Sequence, residues 1–447
     1  MSSIADLTTW EPLLRVVRAA NVEALAAPGG YLAGAIGQGS WSVPVPRRTP
    51  PPGQAMQVED MQDEWDAVQR VRDVLAAEGL DRIAFVVERT ALHLITFGPA
   101  VEHGLGAHPG ALILDEDAVP APWRRLPEPV PGVTAAPSAD PALLEHTLRE
   151  RLPEAVGATE EEIAEAEARL GVALPAELKA IYRVIRGRWA DFDGDYEAMA
   201  AAGEALGVEL YPLDGLRVMS AAARPAPWSA AAMTAVRTPP GAAVQGLAGS
   251  PGWIAFAGNG GGDEFTIDLT PGPGGHLGQV IMLDHEQYAG AGLVADSLTD
   301  LIVHGRKRPD AFGRADEAPL VAYVNARSVR SVEAAAHPDL EVLSIGVWEE
   351  APVSLAPVLG LPRLRTLSAY PGTLADPREI GSLTDLEYLE LGPAEWRTLL
   401  DAGAVPGGLA AAEIVVHGER HPFTTMDLAN ELLALRDRPL ITRVTLE

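Results

Sequence analysis

Carboxylates, rather than thiols or imidazoles, stand in this chain at spacings that could do chemistry. Gly261-Gly262-Asp263-Glu264-Phe265 places two adjacent acids directly after a glycine run, where a tight turn can present them to a cation or to another molecule. Asp191-x-Asp193-Gly194-Asp195 sets three acids at alternate positions, as the start of a calcium loop would. That loop needs Gly at its sixth position and Glu at its last, and Tyr196 and Ala202 stand there instead. The run therefore reads as a solvated acidic loop suited to a basic partner. Cysteine is absent, which removes disulfides, thiolate metal sites and a cysteine nucleophile. His276, His285, His304, His417 and His421 lack metal-ligand spacing, and Asp284-His285-Glu286 reads as a polar turn. His93, inside a strand pattern, and His103, in a loop, read as structural. Neither a P-loop nor a nucleophile–His–acid order is present. No catalytic residue, cofactor or metal is expected.

The glycine run is positioned by Trp253–Leu269, which reads as strand, turn, strand. Trp253, Ile254 and Phe256 form the apolar arm, and Asn259 to Gly262 supply a turn where positive φ costs little. Phe265, Ile267 and Leu269 alternate with Thr266 and Asp268, the period of a strand with one buried face. Asp263 is expected to cap the turn amides. Upstream, Asp140 with Pro141 at the first position opens a helix over Pro141–Leu152. Thr159-x-x-Glu162 is a capping box for a helix carrying Ile163, Ala166 and Leu170, closed by Gly171. Leu174-Pro175 opens another, with Leu178, Ile181, Tyr182 and Ile185 on its apolar face. Short strands are expected at Leu210–Leu213, Leu216–Met219 and Val280–Leu283, and Ser297 caps a closing helix with Leu298, Leu301 and Ile302. Helix pairs followed by hairpins predict an α+β domain over 141–305.

The order of these parts resembles the SUKH superfamily, which includes the fungal cell-wall-assembly regulator and many bacterial immunity proteins. Glu161–Leu170 followed by Gly171-Val172-Ala173-Leu174-Pro175 and a helix reaching Tyr182 is similar to the family's opening. Tyr211-Pro212-Leu213-Asp214-Gly215-Leu216 is similar to its first strand segment, and Ile254-Ala255-Phe256-Ala257 with Gly261-Gly262-Asp263 and Phe265 to its hairpin. Gly278-Gln279-Val280 and Ala295-Asp296-Ser297-Leu298 match the closing strand and helix. The resemblance covers residues 155–305. The chain departs from the family at Arg186-Gly187-Arg188, where Asn-Gly is usual, and at Trp253-Ile254, where a proline is usual. The resemblance implies a non-catalytic protein that binds and neutralises a toxin, often a nuclease. It implies as an alternative a regulatory scaffold of the cell-wall-assembly type. Gly261 to Phe265 also spell the signature of diguanylate cyclases, which implies a third reading as a nucleotide cyclase. That domain needs a metal-binding Asp at the end of an earlier strand and a helix-rich lead-in, and Leu206–Ala255 supplies neither.

Residues 1–116 read as a small α/β domain without a site motif. It has a helix over Glu11–Ala20, an amphipathic helix over Glu59–Ala77 with Met61, Trp65, Val68, Val71 and Leu75 on one face, and strands at Ile83–Val87, Ala91–Phe97 and Ala111–Leu114. Residues 117–140 hold Pro120, Pro122, Pro127, Pro129, Pro131 and Pro137 and read as an extended linker, and 306–319 as a second, polar one. From 320 to 447 one frame recurs: Leu340-x-x-Leu343-x-Ile345, Leu364-x-x-Leu367-x-Ala369, Leu386-x-x-Leu389-x-Leu391 and Leu409-x-x-Ala412-x-Ile414. Ile441-x-x-Val444-x-Leu446 reads as a last copy. The frame resembles leucine-rich repeats, without the usual Asn or Cys, since Trp348, Gly372 and Ala394 stand there. Ser344, Thr366, Ser368, Tyr370, Tyr388, Glu390 and Glu413 then point away from the core, and Trp348 and Trp396 lie near them.

Thirty-four basic and 62 acidic residues give a formal net charge of −28. Such a surface repels nucleic acid and anionic membranes and suits basic proteins. The first residues lack a basic and an apolar signal region, and no apolar run approaches the ~18 residues of a membrane span, so a cytoplasmic bacterial protein is expected. The expected partner is a basic toxin domain, and the expected contacts are Asp191, Asp193, Asp195, Asp263, Glu264, Tyr370, Tyr388 and Glu390.

Overall fold

A computed structural model describes residues 3–46, 61–306, 320–347, 351–417 and 421–447. The fold is α+β, with helices and both antiparallel and parallel sheets. The chain divides into two compact units, one formed by Met1–Ala118 with Val321–Glu447, the other by Val119–Leu320. The sequence-based division into three domains is corrected here, because strand pairing joins the two ends of the chain. Thr442–Leu446 pairs antiparallel with Leu92–Thr96, with Leu446 opposite Leu92. Ala411–Ile414 pairs antiparallel with Pro109–Ile113. The frame at Ile441 is therefore no last repeat, since its strand lies in the other sheet of that unit.

In that first unit, Leu7–Ala20 begins four residues before the expected helix because the Asp6 carboxylate accepts from the Thr8 amide and caps it. Gln62–Glu78 ends at Gly79, whose φ of 67° suits glycine; Glu59, the expected start, lies outside the described residues. The two helices bury Trp10, Leu13, Val17, Val68, Val71 and Leu75 against Phe85 of the five-stranded sheet. Trp65 is 46% exposed rather than in the core, and its ring meets Trp41 edge-on at 5.5 Å. The helix turns Glu64 inward in its place, where the Trp41 indole donates to it.

The recurring frame makes a parallel ladder. Leu343, Leu367, Leu389 and Ala412 stand in register on successive strands, and Val321–Val324 adds a first strand before Leu343 that the leucine pattern does not show. Leu340, Leu364, Leu386 and Leu409, at the head of each frame, are buried. The return segments differ in kind: one turn of 3-10 helix at Ala356–Val358, a longer one at Pro377–Ser382, an α-helix at Pro393–Asp401. Trp396 is fully buried in this core and its indole donates to the Glu413 carbonyl at 2.9 Å. Trp348 lies outside the described residues.

The second unit packs the helices Pro141–Arg151, Glu160–Leu170 and Ala176–Val184 on an antiparallel sheet. Leu144, Leu148, Ile163, Leu178, Ile181 and Tyr182 meet Phe256, Ile267 and Val280 in its core. Both expected caps form, at Asp140 and at the Thr159–Glu162 box. Tyr182, buried, donates its hydroxyl to the Tyr211 carbonyl at 2.9 Å, tying helix to sheet. Buried Glu177 accepts from the amides of Leu298 and Thr299 and from the Thr299 hydroxyl. The proline-rich stretch is not an extended linker. Ala121–Arg124 is a helical turn, the Trp123 indole donates to the Arg224 carbonyl at 2.8 Å, and Glu128 and Gln245 exchange two hydrogen bonds. Proline removes backbone donors and so prevents regular structure, but it leaves the neighbouring side chains free to anchor the segment. Residues 307–319, most of the second expected linker, lie outside the described residues. Among the described residues no helix is long and apolar enough to cross a membrane.

Candidate partner-binding surface

The hairpin of Trp253–Gly258 and Glu264–Asp268 presents the glycine run at its solvent-open turn. Gly260 and Gly262 take φ of 75° and 108°, and a Cβ on Gly262 would stand 3.0 Å from the His285 ring. Asn259, not Asp263, caps the turn: its Oδ1 accepts from the amides of Gly261 and Asp263 at 2.8 and 3.1 Å. Asn259 stands at the start of the turn, where its side-chain oxygen lies two and four residues ahead of those amides, as an Asx turn requires. Asp263 instead accepts from the His285 amide at 3.1 Å and from its Nδ1 at 2.7 Å, while the Asn259 amide donates to its other oxygen at 2.7 Å. The His285 hydrogen bond holds the Asp263 carboxyl below its usual range, and the same bond raises His285. Glu264 is ion-paired with Arg217, whose guanidinium lies 4.8 Å from the centre of the Tyr211 ring.

Asp263, Asp284 and His285 have ligand atoms within 4.8 Å of one another, a spacing that could hold a cation. Asp263 already accepts three hydrogen bonds, two from His285 on Oδ1 and one from Asn259 on Oδ2, and the Nδ1 contact would have to break for His285 to turn that nitrogen to an ion. The amides of Gly261 and Asp263, which a bound phosphate would need, donate to Asn259.

The acidic loop separates its three carboxylates. Arg186 grips Asp191 with Nη2 at 2.7 Å and Nε at 3.0 Å, and the Arg188 amide donates to it at 3.2 Å. Both arginines also donate to Glu162. Arg186-Gly187-Arg188, where the chain departs from the family pattern, is thus the clamp that closes this loop. The Arg186 hydrogen bonds lower the Asp191 carboxyl. Asp195 caps the helix Tyr196–Leu206 by accepting from the amides of Glu197 and Ala198. Asp193, at φ 53°, is exposed. Asp191 and Asp195 therefore have structural duties, and Asp193 is the member of the run left to solvent.

On the parallel ladder, Tyr388 is fully buried and donates its hydroxyl to Glu413 at 2.7 Å. It offers no surface to a partner, which corrects that expectation: the strand does turn it away from Leu389, but neighbouring groups cover it. Burial raises both Tyr388 and Glu390. Ser368, Glu390 and Glu413 stand side by side in register, and the half-buried Tyr370 stacks on His417 at 4.3 Å.

A groove that no motif marks opens beside the hairpin, with a volume of about 770 Å³. Ile185, Leu206 and Phe265 are its buried floor, and Glu204 and Glu209 lie exposed on its lining. Its wall is the helix Tyr196–Leu206. Asp195 before it and Gly207 after it are ordinary boundary signals, but its run of small residues shows no amphipathic stripe.

The arrangement defines an α+β domain whose polar groups are mostly spent on turns, caps and ion pairs, leaving carboxylates at the rim of an apolar groove. Residues 157–304 match the SMI1 / KNR4 family (SUKH-1), and the middle of the chain is a SUKH domain. No curated protein matches the chain.

Proposed function

We propose that the protein is a non-catalytic, cytoplasmic bacterial binding protein that captures a basic protein partner, a nuclease-type toxin domain, and acts as its immunity protein. The observation that carries this reading is a SUKH-1 domain in a chain of net charge −28. An acidic surface steers a basic nuclease into contact and competes with the polyanion that the nuclease would otherwise grip. Asp193, Asp263 and Glu264 are the acids of the middle domain we assign to that contact. We read the parallel ladder as degenerate leucine-rich repeats, with Tyr370 and Glu390 as its contribution. The absence of a converging carboxylate set in the acidic loop and the capping of the hairpin amides by Asn259 favour binding over nucleotide chemistry.

Affinity purification of the full chain from its producing strain tests this. The expected result is co-purification of a basic toxin domain whose nuclease activity the chain abolishes at equal molar ratio. Recovery of metabolic enzymes alone would count against the reading, and turnover of GTP with Mg²⁺ would overturn its non-catalytic part.

A further inference from the structure

The groove beside the helix Tyr196–Leu206 has an unusual balance. Glu204 and Glu209 both line it, and no lysine, arginine or histidine does. The nearby cations are engaged elsewhere: Arg186 with Asp191 and Glu162, Arg188 with Glu162, Arg217 with Glu264, and Arg151 with the carbonyls of Ala205 and Ile302. Neither Glu204 nor Glu209 has a hydrogen bond or ion pair through its side chain among the described residues, so two negative charges face an apolar cleft without a counter-charge. The cleft wall offers apolar surface that an aliphatic stem could cover. Phe192, Met199 and Leu210 are half-buried along it, and Tyr196 stands 69% exposed at the mouth.

An arginine side chain meets both demands. Its methylene stem covers apolar surface while its planar cation reaches carboxylates and stacks on aromatic rings. We propose that this groove is the docking site for an arginine of the partner protein, flanked there by aliphatic residues, with Glu204 and Glu209 receiving the guanidinium and Phe192, Met199 and Leu210 receiving the stem. This rests on the protein-binding reading above and supplies its anchor point. The groove is a better candidate than the acidic loop because its carboxylates are unspent, whereas Asp191 and Asp195 are consumed by the fold. It also combines a desolvating wall with charge, the combination that marks interface anchors.

The chain contains eight methionines, of which Met199 lines the groove, so methyl-labelled methionine in the full chain reports on the site. The probe is acetyl-Leu-Arg-Leu-amide, with acetyl-Leu-Glu-Leu-amide and acetyl-Leu-Leu-Leu-amide as controls, titrated to millimolar concentration at low salt. The Met199 resonance, assigned by its loss in Met199→Leu, is expected to shift with the arginine peptide and not with the controls. Glu204→Gln combined with Glu209→Gln should weaken that binding roughly tenfold, with the other methyl signals in place as evidence of an intact fold. A stationary Met199, equal binding of either control, or unchanged affinity in the double variant would overturn the proposal. The two readings fail separately. A toxin bound equally well by the double variant would keep the partner and exclude the groove. An arginine-specific shift at Met199 in a chain that captures no toxin would keep the groove and exclude the toxin.

Discussion

Two aspartates of one hairpin, Asp263 at the end open to solvent, where the turn lies, and Asp268 at the buried end, are held in opposite ways. Asp263 sits at the surface, bonded to His285 and Asn259, and its carboxyl is pulled below the ordinary value. Asp268 is fully buried and accepts from Trp253 Nε1, the Thr270 amide and hydroxyl, and Gln279 Nε2, yet its pKa is raised to about 6. Four donors lower it and loss of water raises it, and burial wins. The buried end thus holds a carboxyl whose charged form is disfavoured by loss of water, while the open end holds one whose charged form is favoured by its hydrogen bonds.

Removing the buried acceptor should have the largest effect. Asp268→Ala leaves Trp253, Gln279 and Thr270 donors unsatisfied in a sealed site, and a loss of about 3–5 kcal/mol is expected in urea denaturation monitored by Trp fluorescence. A loss near that of a surface substitution would remove the contrast between the ends.

Asp268 also gives a signature in pH. Its folded pKa is raised from 3.8 to about 6, so the folded state binds the proton more tightly than the unfolded chain. Its contribution to stability is full below pH 3.8 and is lost as pH rises through about 6, by about 3 kcal/mol in all. Asp268→Asn, which cannot titrate, should flatten that part of the stability curve. The check is denaturation midpoints between pH 4 and 7, where an unchanged slope would assign the dependence elsewhere.

At the open end the turn itself comes next. Gly262 stands at φ 108°, where a side chain is strained, and a Cβ there would press on the His285 ring at 3.0 Å, so Gly262→Ala should cost about 1–2 kcal/mol. Thermal unfolding of the full chain measures it, and a neutral result would mean that the turn can rearrange.

Much of this was legible from residue types. The capping box at Thr159, the N-cap Asp140 and the leucine frames at 340, 364, 386 and 409 each state a local rule that the fold obeys. The alternation in Phe265–Leu269 does not mark one buried face, because Thr266 and Asp268 are as buried as Phe265 and Ile267. What stayed hidden is non-local. Nothing in Thr442–Leu446 says that its partner is Leu92–Thr96, because an edge strand carries the same alternation whichever sheet receives it. The prolines of 117–140 speak only to backbone regularity, while Trp123, Glu128 and Ser138 decide the packing of that stretch. The choice of Asn259 over Asp263 as turn cap depends on His285, which stands in a different strand connection. The groove carries no motif at all, since its value lies in which carboxylates the fold leaves unpaired.

The smallest expected effect is the sharpest test of the open end. Asp263 and His285 form a pair whose histidine is half exposed, and water and salt screen such pairs strongly, so Asp263→Asn should hardly move the denaturation midpoint at neutral pH. Its mark should appear in titration instead. The lowered Asp263 carboxyl stabilises the fold above its unfolded value and loses that as pH falls through its depressed folded value; the raised His285 stabilises below 6.5 and loses that as pH rises through its elevated value. The pair is thus active in the window between the two, and either substitution closes it from both sides. Histidine ring NMR should show the His285 midpoint above 6.5 in the parent chain and back near the ordinary value in Asp263→Asn. If the midpoint does not move, the raising charge belongs to Asp284 or Glu286, which also face the ring electrostatically. The open end would then be an acidic patch rather than a defined pair.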